Sequence, residues 1–127
     1  MAGLESKIYL IRGEKVMLDH DLAELYQVTK KRLREQVRRN QKRLPDDFMF
    51  ILTKQEVAQL PPHFAASRAA RGSRKVSPYV FTEHGVCMLS SILNSDRAID
   101  VNIAIRELMS THAVPMKRII GLGKKDV

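Results

Sequence analysis

Apolar positions along this chain follow a period of two in some stretches and a helical period in others, and the switches between them mark out the elements. Residues 7–18, KIYLIRGEKVML, are two short β-rich runs around RGEK, with Gly13 in the interruption, and they predict a hairpin. In LDHDLAELYQV, Leu22, Leu25 and Tyr26 share one helical face, and Asp19 or Asp21 stands where an N-cap is wanted. A second helix follows at once. Thr29 is its expected N-cap, KKRLREQVRRNQKRL its body, and Pro45 forces its end, because the residue before proline is pushed out of the α region.

FMFIL, at 48–52, alternates like a strand and runs into TKQE, where Thr53 and Glu56 have capping-box spacing for a short helix reaching about Leu60. Residues 61–77 lose all periodicity and collect Pro, Ser, Gly and basic residues, the composition of an exposed loop. PYVFTEHGVCML then repeats the strand, cap and helix order, with Val86 and Leu89 at the offsets from Thr82 that Val57 and Leu60 have from Thr53. In NSDRAIDVNIAIRELM, Ser95 is the cap and Ile99, Val101, Ile103, Ile105 and Leu108 fall on more than one face, which predicts a central buried helix or a dimer seam. The whole succession predicts an α+β fold: an N-terminal β-hairpin, a helix-turn-helix pair, short strands each followed by a helix, and a C-terminal buried helix. One domain is expected over residues 1–114, with a flexible tail over 115–127.

The two helices between residues 19 and 43 carry the most specific pattern. Ala23 lies mid-way along the first, where a neighbour must come close; a short turn with apolar Val28 follows, then a polar cap, then Leu33 and Val37 facing inward. A helix-turn-helix is built this way, and it offers its second helix to the DNA major groove. One departure is Gln27 in the turn where glycine is favoured, so a residue with a side chain must accept an awkward backbone angle.

Charge gives that pair a direction. Residues 28–45 hold eight lysines and arginines against one glutamate. At about 100° per residue, Leu33, Val37 and Leu44 form one stripe with Asn40 beside it, while Lys31, Arg34, Arg38, Arg39 and Lys42 fall on the far side. The formal net charge of +8 and a pI near 9.9 ask for an acidic partner, nucleic acid first and an anionic membrane surface second. A second basic set, Arg68, Arg71, Arg74 and Lys75, lies in the long loop and has the makings of an arm that follows phosphates or enters a minor groove. The plainer alternatives are a solvated basic helix and a disordered surface loop.

Other functions find less support in the chain. No apolar run approaches the roughly 20 residues of a membrane span, and the N-terminus has no apolar signal region, so a cytoplasmic protein without a membrane role is expected. Cys87 stands alone, which excludes an intrachain disulfide, and it is expected in the core. The histidines, His20, His63, His84 and His112, are scattered without an HExxH or paired cysteines, so no metal and no cofactor is expected. Asp46 and Asp47 read as a turn, and the EHG at 83–85 as a helix start rather than a catalytic pair.

Taken together, the segments IRGEKVMLDHDLAELYQVTKKRLREQVRRNQKRLPDDFMFILTKQE and YVFTEHGVCMLSSILNSDRAIDVNIAI resemble the KilA-N-like family of phage antirepressor amino-terminal domains, specifically its ORF-six amino-terminal branch. The resemblance covers roughly residues 8–109. It implies a bacterial or prophage regulator with an α+β DNA-binding domain, often joined to a variable C-terminal segment. Where the family continues its last helix by further turns, RELMSTHAVP follows directly here and Pro115 stops the helix, so functions of that extension are not carried over.

The resulting expectation is a non-enzymatic domain of a transcriptional regulator that binds double-stranded DNA through Lys30, Lys31, Arg34, Arg38, Arg39, Gln41 and Lys42, joined by Arg68, Arg71, Arg74 and Lys75 from the loop. Gln41 is preferred over Gln36 for reading adenine edges, because Gln36 lies nearer the apolar stripe. The alternative is a protein-interaction module in which the surface from Ile99 to Met109 docks a repressor or a second copy of the chain. RNA is less favoured, since the aromatic residues sit in strand-like runs and form no exposed platform.

Overall fold

The computed structural model describes residues 4–60, 77–111 and 119–120. After a 3-10 turn at Leu4–Lys7, strands β1 (Tyr9–Ile11) and β2 (Glu14–Leu18) form the expected hairpin, with Tyr9 opposite Val16 and Ile11 opposite Glu14. The two residues between them, Arg12 and Gly13, have φ of 56° and 79°. Positive φ at both positions is what a two-residue turn needs to match the right-handed twist of its strands. The chain then runs through α1 (Asp19–Tyr26), α2 (Lys30–Arg39), a 3-10 turn (Gln41–Arg43), β3 (Met49–Ile51) and α3 (Lys54–Ala58). After the 61–76 segment come β4 (Tyr79–Phe81), α4 (Glu83–Leu93), α5 (Asp96–Thr111) and β5 (Ile119–Ile120). The fold is α+β.

The sheet has the order β3-β4-β2-β1-β5, antiparallel except where β5 runs parallel to β1. Alternation along β2 and β4 serves two cores. Met17 and Phe81 face the larger one, with Leu22, Ala23, Tyr26, Leu33, Val37, Val86, Leu89, Val101 and Ile105 from the helices. Val16, Leu18 and Val80 face a smaller one, with Tyr9, Ile11, Leu52 and Leu60. The central strands are therefore buried on both sides, and only their apolar character could have announced it.

Helix boundaries follow from capping. Thr29 accepts from the Arg32 amide, Thr53 and Glu56 close a full capping box, Thr82 accepts from the Gly85 amide, and Ser95 from the Ala98 amide. Each satisfies an amide that the first turn would leave orphaned. At the end of α1, Gln27 takes φ 60° while its amide and that of Val28 reach back to the Glu24 and Ala23 carbonyls, a Schellman closure built without glycine. The awkward angle expected at Gln27 is thus present. Tyr26 hydrogen-bonds Ser90 at 2.9 Å between α1 and α4, and burial pushes its phenol up to about 12.

Several expectations need correction. Neither Asp19 nor Asp21 caps α1: Leu18 occupies the N-cap without a side-chain bond, because Asp19 is the first helical residue and its carboxylate is engaged elsewhere. The second helix ends at Arg39, and the chain tightens into the 3-10 turn before Pro45. The C-terminal helix is buried along one stripe only, at Ala98, Val101, Ile105 and Met109, while Ile99 and Ile103 are exposed. Within the expected tail, Ile119–Ile120 pairs with Leu10 and Ile11 of β1, and residues 115–118 and 121–127 lie outside the described residues. Cys87 is only partly buried.

One close approach locks β3 to α4. The amide of Thr82 donates to the Phe48 carbonyl at 3.0 Å, and its hydroxyl to the Asp47 carbonyl at 2.9 Å. This draws the first turn of α4 so near that a Cβ on Gly85 would overlap the Phe48 carbonyl oxygen. Gly85→Ala is expected to cost about 3 kcal/mol or more, because backbone cannot yield as a side chain can. Gly13→Ala meets open space and only a strained φ, so about 1 kcal/mol is expected there; urea denaturation compares the two.

At the hairpin tip Arg12 binds Glu56 through two bonds, Nε to Oε2 at 2.8 Å and Nη2 to Oε1 at 2.9 Å. These bonds hold the Glu56 carboxyl below its ordinary value of 4.5. A depressed acid stabilises the fold fully above that ordinary value and loses its contribution as pH falls through the lower folded one. Glu56→Gln should cost about 1 kcal/mol at neutral pH and flatten that acid limb of stability against pH, read by thermal melts between neutral and strongly acidic buffer.

Candidate functional site

The site is the outer side of α2 and the 3-10 turn that follows. Leu33, Val37 and Leu44 are buried at 0%, 3% and 6% exposure, so the apolar stripe faces inward as its spacing requires. Lys31, Arg32, Arg38 and Arg39 are exposed on the helix, and Gln41, Lys42 and Arg43 on the turn. Glu35, half-buried, is the one acid among them. Among the described residues no carboxylate forms an ion pair with any of these six cations. Six positive charges without a carboxylate partner on about four turns of chain make a dense positive field, of the kind that attracts polyanions.

Arg34, expected among the outward cations, is turned inward. Its side chain is only 12% exposed, and it meets Asp19, itself 1% exposed, with Nη2 at 2.7 Å and Nε at 2.9 Å from Oδ2. Nη2 also donates to the Ser77 carbonyl at 2.9 Å, and the guanidinium lies 4.2 Å from the ring centre of Tyr79. Arg34 sits on the flank of α2 next to the apolar stripe, and the buried carboxylate there draws it down. It holds the helix rather than facing solvent. Asp19 gathers two further donors, the amides of His20 at 2.7 Å and Tyr79 at 3.3 Å.

The remaining expected positions divide. Lys31, Arg38, Arg39, Gln41 and Lys42 share the exposed side, and Lys30 is half-buried at the start of the helix. Gln36 is half-buried and its carbonyl accepts from Asn40, so Gln41 is the more exposed glutamine. Arg68, Arg71, Arg74 and Lys75 lie outside the described residues. Arg32 and Arg43 were missed. The helical wheel sets Arg32 on the rim, and Arg43 stands past Asn40, where the α-helical angle no longer applies.

Elsewhere, among the described residues one group of metal-ligand types comes together: His20, Asp21 and Glu24 of α1, with ligand atoms within 4.8 Å of one another. Its members pair internally and with Lys7, His20 to Glu24 at 3.5 Å and Asp21 to Lys7 at 3.6 Å. Burial pushes the Asp21 carboxyl up, against the pull of Lys7. His84 stacks on Phe48 at 5.6 Å beside the α4 cap, and Glu83, in the first turn of α4, meets Arg106 and Ser110. Among the described residues no helix is long and apolar enough to cross a membrane.

In comparison with protein families the chain matches the ORF6N domain over residues 6–92, from the turn before β1 to the penultimate residue of α4. The match includes the whole of α1 and α2 and leaves α5 outside, so it stops short of residue 109, where the resemblance read from the sequence ended. No curated protein and no solved structure matches the chain.

The two kinds of arginine on α2 separate in a denaturation experiment. Arg34→Ala strands the buried Asp19 carboxylate and should cost about 3 kcal/mol or more. Arg38→Ala and Arg39→Ala should each stay within about 0.5 kcal/mol of the parent, as surface changes do.

Proposed function

The chain belongs to the ORF6N domain family, a phage-type regulatory domain, and from that premise we propose that it is a non-enzymatic module that binds double-stranded DNA through the outer side of α2. The wider KilA-N likeness, the use in transcriptional control of mobile-element genes and the cytoplasmic location form part of the same proposal. One observation carries it: α2 and the 3-10 turn after it keep six cations exposed, four on the helix and two on the turn, while the only inward arginine of α2 is consumed by Asp19. A helix evolved merely for solubility has no need of a buried ion pair to fix its rotation.

In this reading α1 and α2 act as a helix-turn-helix. The Schellman closure at Gln27 and the Thr29 cap set the angle between the helices, and Asp19 sets the roll of the second. Lys31, Arg32, Arg38, Arg39, Lys42 and Arg43 meet phosphates, which supply affinity and orientation without sequence information. Gln41 is the residue of this side suited to an adenine edge.

Duplex titrations across a salt series test the reading. With about six phosphate contacts, affinity should fall roughly 10³-fold between 50 and 200 mM salt. The Arg38→Ala/Arg39→Ala double variant should bind more weakly and lower the salt slope by about two. Binding that ignores salt, or a double variant indistinguishable from the parent, overturns it. A duplex RNA competitor that displaces DNA at equal concentration would assign the surface to RNA instead.

A further inference from the structure

The outward side of α5 reads as half of a symmetric contact. Asp96, Ile99, Ile103, Arg106 and Ser110 recur at intervals of three, four, three and four residues, the spacing that lines up a narrow seam along one side of a helix. The two isoleucines at its centre are 54% and 55% exposed, and the helix's own core contacts are made from the other side by Ala98, Val101, Ile105 and Met109. Adjacent exposed isoleucines at i and i+4 are an unfavourable surface unless something covers them.

The order of the seam, acid, Ile, Ile, arginine, says what the cover is. Read backwards it is its own complement. An antiparallel copy that lays Ile99 on the partner's Ile103 sets Asp96 opposite the partner's Arg106, and Arg106 opposite the partner's Asp96. On one solvent-exposed flank the same register brings Asp100 beside the partner's Asp100, a single screened like-charge pair against the two opposite pairs of the seam. A parallel copy would bring acid to acid and arginine to arginine. The geometry points to a two-fold dimer of this chain through antiparallel α5 helices, an isologous contact that closes on itself and does not propagate.

Arg106 is not bound so tightly as to be withdrawn from such a contact. Its bond to Glu83 is 3.6 Å long and the side chain is 48% exposed, and a guanidinium has five donors to share. The seam alone is narrower than the roughly 800 Å² per partner of a standard stable interface, so the dimer is reversible and concentration-dependent.

Sedimentation equilibrium of the full chain without DNA is the test, and its outcome is independent of whether α2 binds a duplex. The parent should pass from monomer to dimer within a range reaching about 1 mM. Ile99→Gln/Ile103→Gln should be monomeric throughout while keeping the parent's far-UV circular dichroism. Asp96→Arg and Arg106→Asp, each alone, should raise the dimer Kd about tenfold, since each replaces two opposite pairs by two like ones. Mixed in equal amounts, these two variants restore both pairs in the heterodimer and should associate about as tightly as the parent. A parent that stays monomeric, a glutamine variant that still dimerises, or a mixture no tighter than its components overturns the inference. Should Arg106→Asp fail to fold beside Glu83, the isoleucine variant decides alone.

Discussion

The architecture turns on the carboxylate of Asp19. It sits where β2 becomes α1, almost wholly out of water, and takes donors from three parts of the chain: the Arg34 guanidinium, the His20 amide and the Tyr79 amide. A lone ionised carboxylate at that depth would be strongly disfavoured. Paired, bonded and roofed by the Arg34 guanidinium over Tyr79, it becomes a specification of geometry more than a source of net stability, because the desolvation of both ions offsets much of their attraction. With Arg34 pinned, α2 has one permitted roll. Leu33 and Val37 go into the core, and the other basic residues have nowhere to go but out.

The same device recurs at the hairpin tip with a different weight. Arg12 pairs with Glu56, donates to the Ile51 carbonyl and lies 4.2 Å from the Phe50 ring centre. Arg34 pairs with Asp19, donates to the Ser77 carbonyl and lies the same distance from Tyr79. In each case one guanidinium ties a carboxylate, a carbonyl and an aromatic face. Arg12 is 43% exposed and its pair is screened by solvent; the Arg34 pair is not. What fastens the edge of the sheet at one place orients a helix at the other.

How much of this was legible in the sequence depends on range. The hairpin, the threonine caps, the short strands with their helices and the inward stripe of α2 are set by residues within a turn or two of each other, and simple periodicity finds them. Gln27 could be flagged because a turn of that length needs a left-handed residue somewhere. Arg34 could not be separated from Arg38 by any local rule, since its partner lies 15 residues back and its carbonyl acceptor 43 residues on. Asp19 looked like a cap for the same reason: an acid before a helix has a cheap local use, and the buried role appears only when β4 is brought alongside. The one-sided burial of α5 was hidden by its isoleucines, which satisfy a core pattern and a seam pattern equally, and β5 by having only two residues.

Charge placement, more than charge number, gives the surface its character. The net charge of +8 belongs to the whole chain, yet the acids are spent selectively: Asp19 on Arg34, Glu56 on Arg12, Asp21 on Lys7 and Glu83 on Arg106. None of these pairs involves the outer side of α2 and its 3-10 turn, where Glu35 is the one acid set among six cations, counted over the described residues. On α5 the opposite holds, with acids and arginines alternating around two isoleucines. The two surfaces must therefore respond to ionic strength in different ways. Salt screens the polyvalent field of α2 over a Debye length of about 10 Å at 0.1 M, whereas the apolar centre of the α5 seam is indifferent to it and strengthened by excluded salts such as sulfate. A single fold thus carries one surface that is governed by counterions and another that is governed by water.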